Sequence, residues 1–288
     1  MHDQASILRQ MASEREVAMP RNMRVIAVSS GKGGVGKTSF VVNLALALTE
    51  YNYRVIILDG DLGLANVDVA FGITPKYNIK HLLTGEKRIE DILYPIGKGI
   101  KVLPGASGMV ELANLDRGQL KNVLVNLGRL EKMADILLID TGAGLGHTVL
   151  NFISAADDVI LVLTPEPPSM TDAYGLIKSI KSPTGKVNLN IVVNRVKSEA
   201  EAKQAYERLE HAVTKFLGMP ISLLGWVYDD PSVGRSVMEQ KPVGLSDPES
   251  YAYRCVQWIA GNVAGVYMQP PTQSSGIRGF ISSLLKLK

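Results

Sequence analysis

The sequence contains very little cysteine: Cys255 is the one cysteine among 288 residues. A disulfide within the chain is therefore excluded, and one thiol cannot build a thiolate zinc site or hold an iron–sulfur cluster in a single chain. This scarcity removes disulfide scaffolds, zinc-ribbon proteins and iron–sulfur scaffolds from the candidate classes. It also favours a reducing compartment, so we expect the protein in the cytosol.

Long hydrophobic runs and a strong charge of either sign are also lacking. No apolar stretch approaches the roughly 20 residues needed to span a bilayer, and the first residues, MHDQASILRQ, lack the apolar core of a signal peptide. We therefore expect any membrane contact to be peripheral. The formal net charge is only +3, so no specific nucleic-acid partner is expected.

Short runs rich in Val, Ile and Leu recur along the chain and are separated by segments of helical length. Nearly continuous apolar runs are typical of strands covered on both faces, and their alternation with helices predicts a doubly wound, mostly parallel α/β sheet. The predicted strands are Val25 to Ser29, Val55 to Leu58, Lys101 to Leu103, Ile136 to Ile139, Val159 to Leu163, Leu189 to Val193 and Ile221 to Val227. The predicted helices include Thr38 to Thr49, Asp116 to Lys132, Ser169 to Ile180 and Glu199 to Leu217.

One domain over residues 21–268 accounts for this pattern. Residues 1–20 form a separate N-terminal segment, and residues 269–275, which read QPPTQSS, have the composition of a linker. Residues 276–288 form a second short amphipathic segment beyond the linker.

A glycine-rich loop follows the first predicted strand and precedes the first predicted helix. It matches G-x-x-x-x-G-K-[ST], the phosphate-binding P-loop, in the required strand–loop–helix context. Glycines let successive backbone N–H groups converge on phosphate oxygens, and the helix N-terminus adds its positive dipole end. Lys37 is expected to reach the β and γ phosphates, and the Thr38 hydroxyl to bind Mg²⁺. The loop consists of Gly31, Lys32, Gly33, Gly34, Val35, Gly36, Lys37 and Thr38.

Two acidic segments end predicted strands, where a parallel sheet presents its binding crevice. An apolar strand that ends in Asp140 has the Walker B pattern, so we expect Asp140 to hold the Mg²⁺ shell. The other segment, residues 58–68, reads LDGDLGLANVD and contains Asp59 and Asp61. An isolated aspartate at a strand end is commonly a helix cap, but two such segments after a P-loop favour a catalytic site.

The loop sequence KGGVGKT, with Lys32 at its start, resembles the deviant Walker A motif of the MinD/ParA family. The resemblance implies that Lys32 reaches the nucleotide of the opposite subunit in an ATP-dependent homodimer. The pattern D-x-D-x-G-L-x-N-x-D is similar to the second motif of MinD-like members. It implies that Asp61 positions the attacking water, that Asp59 supports Mg²⁺, and that Asn66 belongs to the adjoining switch segment.

The same resemblance points to a base pocket, in which Asn194 contacts adenine and Val227 and Asp229 close the other side. Ordinary strand-end capping explains these three residues equally well. No N-K-x-D guanine motif follows, so ATP is favoured over GTP.

The C-terminal segment has an apolar stripe at helical spacing with basic residues around it. Such a short helix after a flexible linker is typical of an interfacial anchor on an anionic membrane, although docking on the protein's own surface would give the same pattern. The stripe consists of Ile277, Phe280, Ile281, Leu284 and Leu285.

The N-terminal sequence D-Q-A-x-x-L-R precedes the ATPase-like body, and together with the basic tail it resembles the FlhG family (also called YlxH or FleN) of flagellar number regulators. The resemblance implies that this segment binds and stimulates FlhF, a GTPase of the signal-recognition-particle type. It also implies contacts with flagellar C-ring proteins, FliM with FliN or FliY. A disordered start explains the segment equally well. The motif residues are Asp3, Gln4, Ala5, Leu8 and Arg9.

Three alternatives remain open from the sequence. A ParA-type DNA-partitioning ATPase has the same loop but needs a basic surface for DNA. A non-hydrolysing adaptor would hold nucleotide only as structure. A transcriptional co-regulator role also occurs among FleN-type members of the family.

Overall fold

The computed structural model describes residues 23–61, 66–105, 126–180 and 187–271. Within these residues, eight strands form one sheet in the order β3-β4-β2-β5-β1-β6-β7-β8. The strands are β1 (Arg24–Ser30), β2 (Val55–Gly60), β3 (Tyr94–Gly97), β4 (Ile100–Leu103), β5 (Ile136–Ala143), β6 (Asp158–Leu163), β7 (Asn188–Val196) and β8 (Ser222–Tyr228).

Helices flank this sheet. They are α1 (Lys37–Thr49), α2 (Asn66–Phe71), α3 (Ile79–Leu83), α4 (Ile89–Ile92), α5 (His147–Ala155), α6 (Pro167–Ser179), α7 (Glu199–Leu217), α8 (Pro231–Met238), α9 (Val243–Ser246) and α10 (Tyr251–Val263). The structure describes residues 126–132 of the predicted helix Asp116 to Lys132. These residues end in a 3₁₀ turn, Arg129–Lys132.

Strand β2 explains why the predicted strands read as continuous apolar runs. Val55 and Ile57 pack into the larger core cluster with α1, whereas Ile56 and Leu58 pack into a second cluster on the other face. Successive side chains of a strand point to opposite faces, so a strand covered on both faces needs an apolar residue at every position. The predicted mostly parallel, doubly wound sheet is confirmed.

The exception to parallel pairing is β3, which pairs antiparallel with β4 at the edge of the sheet. The sequence pattern did not indicate this strand. It is four residues long, contains Pro95, and ends at Gly97 with a φ of 112°. Proline cannot donate to a ladder, which confines it to edge positions such as this one.

Helix α7 has the boundaries predicted from the sequence. Ser198 caps its N-terminus by accepting a hydrogen bond from the Glu201 N–H at 3.2 Å, and Gly218 ends it in the left-handed region with a φ of 63°. Its apolar stripe packs on the sheet while the opposite face stays in water.

Both tails predicted from the sequence lie outside the described residues, including the predicted FlhF-binding motif and the C-terminal apolar stripe. In the part of the chain that is described, no helix combines the length and the apolar character needed to cross a bilayer.

Candidate functional site

The loop between β1 and α1 wraps the N-terminus of α1 at the carboxyl ends of the central strands. Gly34 and Gly36 adopt left-handed φ values of 80° and 89°, which side chains with a Cβ rarely adopt. A Cβ on Gly31 would lie 2.3 Å from the Asp172 carbonyl carbon, so only glycine fits against the backbone of α6. The first N–H groups of α1 have no partner within the helix, which makes this loop suitable for an anion.

Lys37, Thr38 and Asp140 form a buried polar cluster behind the loop. The Lys37 Nζ lies 2.5 Å from Asp140 Oδ1, and the Thr38 hydroxyl donates to Asp140 Oδ2 at 2.7 Å. Lys37 is 8% exposed and Asp140 is fully buried. Burial raises the pKa of Asp140, and the neighbouring Lys37 ammonium acts in the opposite direction. The structure therefore brings the strand-end aspartate into contact with the P-loop lysine and threonine, which precede it by more than 100 residues.

Asp59 has a structural role that sequence analysis did not predict. Its buried carboxylate accepts hydrogen bonds from the backbone N–H groups of Asp61 at 3.2 Å and Val67 at 3.1 Å. These contacts tie the end of β2 to the start of α2. Burial is the main cause that raises the pKa of Asp59 to about 7, and the nearby Asp140 adds to it.

Asp61 lines a cleft beside the phosphate loop. Its Oδ2 accepts a hydrogen bond from the Asn66 side chain at 3.0 Å. Both residues line a cleft of about 330 Å³ together with the loop from Gly33 to Thr38. The structure thus places Asp61 and Asn66 beside the P-loop.

A second cleft, of about 430 Å³, continues from the first past Gly36. Asn194 and Asp229 line it, together with Tyr228. The Asn194 amide donates to the Val35 carbonyl at 2.7 Å, so this side chain is already tied to the phosphate loop. Val227 is 5% exposed and lines a small adjoining cavity instead of the open cleft, which differs from its predicted place.

Lys32 forms an ion pair with a residue outside the buried cluster. Its Nζ lies 3.1 Å from Glu166 at the start of α6, and its side chain is 34% exposed. Sequence analysis could not predict this pair, because Glu166 follows a different strand and lies 134 residues further along the chain.

Arg195 is a residue of this site that sequence analysis did not single out. It lines both clefts and has a φ of 58°, in the left-handed region. Its position depends on a bulge in β7, and a bulge leaves no clear signal in the sequence.

The residues present suit a Mg²⁺ ion that is held partly by a phosphate ligand. Among the described residues, no group of three or more His, Cys, Asp or Glu side chains is arranged to hold a metal. Mg²⁺ usually takes one or two carboxylates and completes its shell with substrate phosphates and waters. The Thr38 hydroxyl and the Asp140 carboxylate next to the loop are donors of the required kind.

Comparisons with known proteins agree with this geometry. A family model described as an AAA domain matches residues 23–193. The antiactivator FleN of Pseudomonas aeruginosa is 37% identical over 241 residues, which cover 84% of this chain and 86% of FleN. The flagellum site-determining protein YlxH of Helicobacter pylori is 34% identical over 268 residues, covering 92% of this chain and 90% of YlxH.

Among solved structures, the septum site-determining protein MinD of Pyrococcus horikoshii, complexed with Mg-ADP, is similar in fold. Its TM-score is 0.67 at 26% identity, and the match covers 84% of this chain and 96% of MinD. The chain therefore belongs to the MinD/ParA family of P-loop ATPases, in the FlhG branch that includes FleN and YlxH.

Proposed function

We propose that the chain is a Mg·ATP-dependent switch that controls flagellar number and placement. The buried Lys37–Asp140–Thr38 cluster next to the glycine-rich loop is the observation that carries the proposal. A magnesium ion bound there would neutralise phosphate charge and orient the phosphate oxygens. Thr38 and Asp140 would hold it, with Asp59 supporting its water shell from the neighbouring strand. The Mg-ADP complex of the related MinD supports this choice of ligand.

Different residues of the chain bind the phosphates, orient the attacking water and contact the adenine. The loop amides and Lys37 bind the phosphates, so Lys37 exchanges part of its contact with Asp140 for phosphate oxygens. Asp61, held by Asn66, orients the attacking water and accepts its proton. Asn194 and Asp229 contact the adenine in the second cleft, with Val227 supporting the pocket from the core side.

ATP would bring two copies of the chain face to face, each Lys32 contacting the nucleotide of the other. The position of Lys32 supports this step, because its ion pair with Glu166 is partly exposed and such pairs contribute only about 0–1 kcal/mol. Little stability is lost when the lysine leaves Glu166. Hydrolysis would return the subunits to monomers.

The biological output rests on the relatives and on the two tails. YlxH is named as a flagellum site-determining protein, and this chain covers nine-tenths of its length. We assign FlhF stimulation to the N-terminal motif around Gln4 and anionic membrane binding to residues 276–288. C-ring proteins, FliM with FliN or FliY, would be further partners. Two weak anchors in one dimer gain avidity, which couples membrane binding at the inner face to ATP.

A second candidate function is transcriptional co-regulation. The name of FleN, an antiactivator with 37% identity to this chain, favours it. Both functions use the same ATP-dependent switch and differ in the partner that the dimer contacts.

The test of the switch is Asp61→Ala. Because Asp61 acts on water and not on the loop contacts, the variant should bind Mg·ATP like the wild type and accumulate as a dimer in size-exclusion chromatography. Glu207→Ala, which removes an exposed carboxylate of α7, is the control and should cycle normally. An Asp61→Ala variant that stays monomeric with ATP would contradict the proposal.

A further inference from the structure

We propose that Arg195 is a phosphate-binding residue that adds a second cation of the same subunit to the site of Lys37. The proposal rests on the proposed nucleotide site. Nothing in the P-loop motif requires an arginine at this position. We infer the role of Arg195 from three observations: its backbone conformation, its unpaired side chain, and its location between two clefts.

The backbone at Arg195 is held in a conformation that arginine rarely adopts. Its φ is 58°, and the pairing of β7 with β8 shifts between Asn194 and Val196, which makes Arg195 the residue of a bulge. For a residue with a Cβ, the left-handed region is disfavoured. Such conformations cluster at ligand sites, where the surrounding structure maintains them.

Asn194 is the residue that holds this conformation and links it to the phosphate loop. Its Oδ1 accepts the Arg195 N–H at 2.9 Å, and its Nδ2 donates to the Val35 carbonyl at 2.7 Å. A Cβ on Gly36 would come within 2.5 Å of the same Nδ2. The position of Arg195 is therefore fixed relative to the loop that would hold the phosphates.

The side chain of Arg195 is exposed and lines both clefts. Across the described ranges, no hydrogen bond or ion pair to its guanidinium is found, in contrast to Lys37 and Lys32. Asp229 lines the second cleft as well, but it forms no ion pair with Arg195. A cation without a protein partner, at a cleft lined by the glycine-rich loop, suits an anionic ligand.

Phosphate is the chemical class that fits best. The planar guanidinium matches two phosphate oxygens at once, and charge-assisted hydrogen bonds of this kind are among the stronger ones. The adenine ring and ribose are neutral and would leave the charge of Arg195 without a counterpart. Contact with the base, by stacking, is the competing outcome that the experiment must separate.

The experiment measures binding of ADP and GDP by calorimetry, with Mg²⁺, at two salt concentrations. Arg195→Gln should raise the Kd for both nucleotides about tenfold, as expected for the loss of a charge-assisted contact. The ADP-to-GDP ratio should stay that of the wild type, because both nucleotides carry the same phosphates. The affinity of the variant should also depend less on salt.

Two further variants keep the result interpretable. Arg195→Asn places a residue that tolerates positive φ at the bulge, so it should unfold at a temperature no lower than the wild type while showing the same tenfold loss. Arg208→Gln removes an exposed arginine of α7 and should bind like the wild type.

Unchanged affinity in Arg195→Gln and Arg195→Asn would overturn the proposal, and a changed ADP-to-GDP ratio would reassign Arg195 to the base. If the wild type itself binds neither nucleotide, the proposed function fails instead. The two failures are therefore distinguishable.

Discussion

Removing the charge of Lys37 should make the stability of the nucleotide-free protein depend steeply on pH. Lys37→Met keeps the apolar stem of the side chain but leaves the fully buried Asp140 without its ammonium partner, 2.5 Å away in the wild type. Breaking a buried ion pair by removing one partner costs about 3–5 kcal/mol. We expect a loss of this size in the free energy of unfolding at pH 8.

Protonation of Asp140 limits this loss at lower pH. Starting from an ordinary pKa of 3.8, neutralising the carboxyl costs about 1.4 kcal/mol per pH unit above that value, which gives about 6 kcal/mol at pH 8 and about 2 kcal/mol at pH 5.5. The pKa of Asp140 in the folded variant is raised further. Lys37→Met therefore retains more of its stability at low pH and loses it as the pH rises. The loss at pH 5.5 should therefore not exceed about 2 kcal/mol.

Urea denaturation at pH 5.5 and pH 8 without nucleotide measures both values. Lys37→Met/Asp140→Asn, which removes both charges, should recover most of the stability at pH 8 and lose the pH dependence. Lys178→Met, an exposed lysine of α6, is the control for loss of a positive charge. A Lys37→Met variant as stable as the wild type at pH 8, or equally destabilised at both pH values, would refute the reasoning.

Three other predictions concern the tails and Asp59. Removing residues 276–288 should abolish sedimentation with anionic liposomes while calorimetry still detects ATP binding; sedimentation at the wild-type level would reject the membrane anchor. Gln4→Ala should weaken the stimulation of FlhF GTP hydrolysis measured by phosphate release, and full stimulation would remove the N-terminal assignment. Because the pKa of Asp59 is raised from 3.8 to about 7, its contribution to stability is full below pH 4 and disappears as the pH rises through 7. Asp59→Asn should reduce the pH dependence of the melting temperature between pH 5 and pH 8. A pH dependence equal to that of the wild type would contradict this.

The sequence was sufficient to predict the seven strands other than β3, because strands covered on both faces need apolar residues at every position. It also predicted the association of Lys37, Thr38 and Asp140, since the ends of parallel strands meet at one edge of the sheet. It did not predict β3, because this short edge strand contains Pro95 and ends at Gly97 with a positive φ, and neither residue is typical of a strand.

Contacts between distant segments account for most of what was not predicted in the site. The Lys32–Glu166 ion pair and the Asn194–Val35 hydrogen bond depend on which strands are neighbours. Arg195 depends on a bulge, whose place is set by pairing between β7 and β8. Periodicity within one segment contains no information on any of the three.

The most direct test of the central claim is calorimetric titration of Mg·ATP into the wild-type protein. We predict saturable binding at one site per chain, and loss of that binding in Lys37→Met, because the loop amides and the Lys37 ammonium together hold the triphosphate. Absence of binding in the wild type, or equal affinity in Lys37→Met, would contradict the account.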